Sequence, residues 1–279
     1  MKKVIIRLEN ISKFYSKKLI LENVNLTIEK GTSIALLGNN GTGKSTLLKI
    51  ISGLTNVSTG RVIYYENIKF NYIPEHFPKL NINAKQYIKY MGRIENIPIN
   101  ELEDKCEELV HNFHLDNMMD IPMKHLSKGS LQKVAVIQAL LKKPDVLLLD
   151  EPLSGQDILS QRYFIQMVNE LKLQGVAIVM SCHEMFLVNQ ISDIAYKIDN
   201  YQLARVNVDQ SSDMDYDILC FDNSKNQKVP EKFKQYIEKL DYNDLSIRIL
   251  VKKDKSNAIL LDMLKEGFLL RSMRGVEYD

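Results

Sequence analysis

Short uninterrupted apolar runs recur along the chain, each followed by a turn and then by a longer segment with helical spacing. The clearest are Ser33–Leu37 and residues 145–149 and 176–180. Runs of this length bounded by turns read as strands buried on both faces, and their alternation with helices predicts an α/β architecture with a mostly parallel sheet. The opening Met1-Lys2-Lys3-Val4-Ile5-Ile6 is broken by Arg7 and Glu9 too early for a signal sequence and reads as a first strand. Between the first two runs the texture changes. Residues 84–90 and 101–115 carry helical spacing, and Pro78, Pro98 and Pro122 punctuate the stretch 74–141, which predicts a helical insertion. From Val208 the polar stretch Asp209-Gln210-Ser211-Ser212-Asp213 reads as a linker and a domain edge. Beyond it the pattern predicts strands at 216–221, 245–251 and 268–273 and helices at 230–240 and 256–266, a small α+β appendix.

Composition narrows the class. Of 279 residues, 45% are apolar and 26% charged, the balance of a folded globular chain. Lys plus Arg exceeds Asp plus Glu by 37 − 35 = +2, too weak a field to argue for nucleic acid or an anionic membrane as the main partner. Cys106, Cys182 and Cys220 are odd in number and far apart, which favours a reducing compartment over a disulfide framework. No stretch approaches the ~18 apolar residues of a spanning helix, so a membrane role has to come through a partner.

Directly after the strand Ser33–Leu37 stands Gly38-Asn39-Asn40-Gly41-Thr42-Gly43-Lys44-Ser45-Thr46, which satisfies G-x-x-x-x-G-K-[ST] between a strand and a helix. The glycines let successive backbone N–H groups turn inward. Lys44 supplies a point charge for β and γ phosphates, Ser45 a hydroxyl for Mg²⁺, and the following helix its positive end. This predicts a site for a nucleoside triphosphate. A second strand, Val146-Leu147-Leu148-Leu149, ends in Asp150 and Glu151. Asp150 is placed to hold Mg²⁺, and Glu151, one residue on and therefore directed to the other side of the strand, to polarise a water in line with the γ-phosphate.

Leu126-Ser127-Lys128-Gly129-Ser130-Leu131-Gln132-Lys133 lies between these two elements, and here the chain resembles the ABC (ATP-binding cassette) ATPases, whose signature is LSGGQ. Leu126, Ser127 and Gly129 match, Lys128 replaces the middle glycine, and Ser130 stands in place of the glutamine; the match is closest to cassettes carrying LSKG with a downstream Gln, here Gln132. Ser127 also suits an N-cap. The resemblance covers about residues 4–206 and implies further roles. Tyr15 corresponds to the aromatic that stacks on adenine, Asp157 to the end of the D-loop, and His183 to the switch histidine that contacts the γ-phosphate. The Q-loop glutamine falls at Glu75, which can accept from water or ligate Mg²⁺ but adds negative charge and cannot donate when ionised. That variant resembles cassettes of drug and bacteriocin exporters and leans toward export.

The resemblance implies a P-loop cassette with a mostly parallel core sheet, an antiparallel N-terminal subdomain and a helical subdomain at about 76–141. This ATP-binding domain would span 1–207, followed by a small accessory domain at 208–279. It implies ATP and Mg²⁺ as ligands, Ser45, Asp150 and Glu75 around the metal, and Lys44, Glu151 and His183 in hydrolysis. Because the signature of one subunit covers the phosphates of the other, a homodimer is expected, serving a separate integral membrane permease from the cytoplasmic face. Phe77, Leu80, Ile82, Tyr87 and Tyr90 are candidates for that contact or for the subdomain's own core. Three other readings compete: a soluble non-transport cassette, a P-loop kinase or GTPase, and an ATP-regulated binding module. A transition-metal site built on Cys106, His111 and His114 lacks a fourth ligand, and His183-Glu184 lacks the second histidine of HExxH.

Overall fold

The structure, a computed structural model, describes residues 2–153, 155–182, 185–207, 216–223, 228–242 and 246–275. The polar stretch 209–213 lies outside them. The chain divides into two compact units, 1–208 and 209–279. The first unit runs β1 (Val4–Tyr15), β2 (Lys18–Glu29), β3 (Ser33–Leu37), α1 (Lys44–Ile51), β4 (Thr59–Tyr64), β5 (Phe70–Ile73), α2 (Ala84–Ile94), α3 (Ile99–Asn112) and α4 (Lys128–Leu140). It continues through β6 (Val146–Asp150), α5 (Ile158–Leu173), β7 (Ala177–Ser181), α6 (Met185–Ile191), β8 (Ile194–Asp199) and β9 (Gln202–Val206).

The six-stranded sheet has the order β5-β6-β7-β3-β8-β9, parallel throughout except for the antiparallel edge strand β9. Its central strands are the apolar runs of the sequence, and every residue of β6 and β7 is buried. Period-2 alternation divides them between two cores. Leu147, Leu149, Ile178 and Met180 face the cluster that includes Val134 and Ile137 of α4 and Phe164 of α5. Val146, Leu148, Ala177 and Val179 face the cluster formed with Leu47 and Ile51 of α1 and with Ile6, Leu8 and Leu26 of the antiparallel sheet β2-β1-β4. A sheet covered on both faces has its free polar groups at the strand ends, which is where the ligand chemistry collects.

In β1, Leu8 and Ile11 are three apart yet both buried, because the register slips between them and Asn10 takes φ 51°. Gly60 of β4 lies opposite this bulge with φ +84°, and a Cβ there would sit 2.3 Å from the Asn10 carbonyl oxygen. The helices between β5 and β6 start where local chemistry dictates. Asn83 and Gln86 form a capping box at α2, Pro98 precedes α3, and Ser127 caps α4 by accepting from the Ser130 N–H. The helical spacing at 101–115 predicts a longer α3 than is formed; the helix closes at Asn112, and His114 turns left-handed at φ 54°.

The second unit runs β10 (Tyr216–Asp222), α7 (Glu231–Lys234), β11 (Ile237–Tyr242), β12 (Ser246–Lys252), α8 (Lys253–Lys265) and β13 (Leu270–Gly275). Its sheet order β11-β12-β10-β13, antiparallel at each pairing, is the split βαββαβ arrangement of ferredoxin-like folds. Leu219, Phe221, Ile247, Ile249 and Val251 pack under Ile259 and Met263 of α8. The helix predicted at 230–240 is a single turn followed by a strand. Ile237 and Leu240 have helical spacing, but a register slip between Ile237 and Lys239 lets both pack on the same core from β11.

Gly60→Ala is expected to destabilise the first unit by about 2–4 kcal/mol, from the left-handed backbone together with the backbone clash. A fall in the urea midpoint at constant slope checks it.

Candidate functional site

The ends of four strands, β3, β5, β6 and β7, and the start of one helix build the site. Between β3 and α1 the chain needs glycine twice for different reasons. Gly38 has φ +143°, and its Cβ would meet the Ile198 carbonyl oxygen at 2.9 Å; Gly43, at φ +108°, opens α1 and packs against Ile20. The Thr42 hydroxyl donates to the Asn39 carbonyl at 2.9 Å, closing the turn. Lys44 is 6% exposed, and its Nζ donates to the carbonyls of Gly38 at 2.6 Å and Asn39 at 3.2 Å. Burial pushes its pKa down, opposed by the negative charges of Glu151 and Asp150.

Asp150, at the end of β6 and 3% exposed, gathers hydroxyls from three elements. Its Oδ1 accepts from Ser45 of α1 at 3.0 Å and Ser181 of β7 at 2.5 Å, and its Oδ2 from Tyr72 of β5 at 3.0 Å. Burial pushes the Tyr72 hydroxyl up, and the Asp150 charge adds to it. Glu151 diverges from Asp150 by a left-handed turn at φ 49°, where strand alternation alone was expected. Such a conformation costs a non-glycine residue about 1–2 kcal/mol. The Glu151 N–H donates to the Ser181 carbonyl at 3.1 Å, which pins the turn, and its Oε1 lies 3.9 Å from Lys44 Nζ. A pocket of about 400 Å³ lies among Asn40, Gly41, Gly43, Lys44, Ser45, Thr46, Glu75, Asp150 and Glu151, with Ile20 as an apolar wall.

The signature residues are absent from that lining and form a second cluster. Ser127 caps α4, and Gly129 packs so closely on the segment after Leu153 that a Cβ would sit 2.0 Å from the Gly155 carbonyl oxygen. Lys133, 7% exposed, donates to the Phe113 carbonyl at 2.9 Å and to Asp157 Oδ2 at 2.6 Å. Desolvation raises the Asp157 pKa, but hydrogen bonds from Lys133 and Ser160 outweigh it and hold the carboxyl below its usual range. The folded value lies below the unfolded one. The pair's contribution to stability is therefore fully present above the ordinary carboxylate range and is lost as pH falls through the folded value. Gln132 Nε2 donates to the Pro74 carbonyl at 3.1 Å, joining this helix to the residue before Glu75.

Tyr15 ends β1 and is 47% exposed, and Lys13 Nζ sits 4.8 Å from its ring centroid. It lies outside the phosphate pocket's lining, whereas Ile20 of the same hairpin is within it. His183 falls outside the described residues. Phe77, Leu80 and Tyr87 pack on the first unit's own core, with Tyr87 donating to Gln138, while Tyr90 is exposed. Among the described residues no group of three or more His, Cys, Asp or Glu could hold a metal ion, and no helix is long and apolar enough to cross a membrane. Ser181, Tyr72 and Lys133 were missed as site residues. For the first, the sequence offers only a serine ending an otherwise apolar strand; its register with Asp150 is given by the sheet.

The ABC transporter family model matches residues 21–154, from Leu21 of β2 to just past the Asp150–Glu151 carboxylates. A zinc import ATP-binding protein of Rickettsia bellii (strain RML369-C) is 32% identical over 194 residues, which cover 69% of this chain and 82% of that protein. The chain belongs to the ABC transporter ATP-binding cassettes. The zinc import ATP-binding protein of Vibrio cholerae is 34% identical over 195 residues, covering 68% of the cassette described here and 71% of the relative. Among solved structures, an ATP-binding subunit of an ABC transporter superposes with TM-score 0.68 at 26% identity, over 74% of this cassette and 90% of that chain. A dimeric cassette bound to ADP and Pi shares the fold, with TM-score 0.66 at 20% identity over 73% of this cassette and 99% of that chain.

Gly129→Ala suits a helix but must displace the Gly155 carbonyl. ATPase activity is expected to fall about 100-fold, the cost of a 1 Å misplacement, with nucleotide binding by the single chain retained. Paired turnover and fluorescent-nucleotide titrations check it.

Proposed function

We propose that this cassette binds MgATP in the pocket between Lys44 and the Asp150–Glu151 pair. A second copy would close over the phosphates with Ser127, Lys128 and Gly129. The observation that carries this reading is the meeting of Ser45 with Asp150 and of Lys44 with Glu151 across one pocket. The cassette is an ATPase of the ABC type. Its place is that of the ATP-hydrolysing subunit of a transporter, energising a separate membrane permease from the cytoplasmic side.

The chemistry follows from the donors. Phosphate oxygens replace the carbonyls of Gly38 and Asn39 as partners of Lys44, which removes the cost of its burial. The backbone N–H groups of Asn40 to Ser45 and the start of α1 supply further positive dipole. The oxygen donors Ser45 Oγ and Asp150 Oδ1, 3.0 Å apart with Glu75 on the same pocket, suit Mg²⁺, which takes one or two carboxylates plus substrate phosphates. When bound, the ion neutralises charge on the β and γ phosphates. Glu151 takes the proton of the attacking water as general base, and Tyr15 offers its exposed ring to the adenine. His183 is assigned to the γ-phosphate and Asp157 to the dimer face on the family pattern.

The relatives' names weigh on direction. They are zinc import proteins, which favours import over the export that Glu75 suggests. Zinc is the cargo of those proteins; this cassette's cargo is set by its permease.

Glu151→Gln is expected to keep ATP affinity within about twofold, lose turnover by at least about 100-fold, and accumulate as an ATP-bound dimer on size exclusion. Wild-type activity should rise more steeply than linearly with protein concentration. Linear activity from a stable monomer would overturn the shared site. ATP binding with no hydrolysis in the wild type would favour a regulated binding module instead.

A further inference from the structure

We infer that Tyr72 is a positioning residue for the metal-nucleotide complex, acting through Asp150; this rests on the MgATP reading above. The strand register puts it there. Tyr72 of β5 pairs with Leu148 of β6, so both point to one face, and Asp150 lies two residues further along that face. Two strand residues span about 6.6 Å, the reach of a tyrosine ring to its hydroxyl. The ring is half-buried against the core shared with α1, and the hydroxyl arrives at Asp150 Oδ2 at 3.0 Å.

The two carboxylate oxygens thereby have separate duties. Oδ1 faces Ser45 Oγ, on the side where the metal-nucleotide complex would sit, and also accepts from Ser181. Oδ2 is turned away and held by Tyr72. A carboxylate fastened at its rear oxygen presents the front one in a fixed plane, and loss of an outer hydrogen bond of this kind typically costs about 10–100-fold in metal affinity. Tyr72 also stands three residues before Glu75, whose preceding carbonyl, that of Pro74, is held by Gln132. The end of the strand that delivers Glu75 to the pocket is therefore tied to the metal-side carboxylate through Tyr72 and, two residues on, to the signature helix through Pro74.

The test is Tyr72→Phe in the full chain, which keeps the ring and removes one oxygen. A fluorescent ATP analogue is titrated in EDTA and then at saturating protein across a range of Mg²⁺ concentrations. The expected result is unchanged affinity in EDTA and a Mg²⁺ midpoint raised about 10-fold. Loss of folded protein lowers the signal amplitude and leaves the midpoint alone, so a partly unfolded preparation still decides. An unchanged midpoint, or equal weakening with and without Mg²⁺, overturns the proposal and leaves Tyr72 a packing residue. Wild-type protein that binds no nucleotide in either condition would overturn the phosphate-site reading itself.

Discussion

A carboxylate that is 3% exposed must be hydrogen-bonded on every side or give up its charge, and Asp150 meets that demand by drawing hydroxyls from β5, β7 and α1 to one point. Each donor comes from a different connection in the fold. The strand order that places β5 and β7 on either side of β6, and the loop that carries Ser45 over the end of the sheet, are jointly required for those bonds to form. The site is thus a product of topology, and the buried charge in turn fixes the relative heights of the strands that support it.

Around that anchor the chain accepts local strain. Glu151 takes a left-handed turn with no glycine to ease it, and the loop before α1 takes positive φ at Gly38, Gly41 and Gly43. These conformations are tolerated because the strands beneath them are buried, β6 and β7 throughout and β3 up to Leu36. Rigidity of the same kind joins Gly129 to Gly155 and Lys133 to Asp157, so that the signature helix and the segment after Leu153 behave as one block. Two rigid clusters result, the pocket proposed to hold the phosphates and the one proposed to cover them.

Much of this was legible in residue order. The apolar runs at 33–37, 145–149 and 176–180 became β3, β6 and β7 within a residue, because a doubly buried strand leaves no polar position to blur the pattern. Lys44, Ser45, Asp150, Glu151 and Glu75 do converge on one pocket. What was hidden depends on register. Tyr72 and Ser181 acquire meaning only once β5 and β7 flank β6, and no spacing along the chain reports that. Residues 237 and 240 misled for a related reason, since a bulge in a strand reproduces the three-residue interval of a helix.

That bulge has a further consequence. β11 is an edge of the second sheet, and β13 is the other. An open edge is a template on which another chain can add a strand. A slipped, twisted register on one edge, with Asp241 exposed, and an arginine held down by Asp222 on the other make poor templates. The second unit can therefore be present at high concentration without joining copy to copy through its sheet edges.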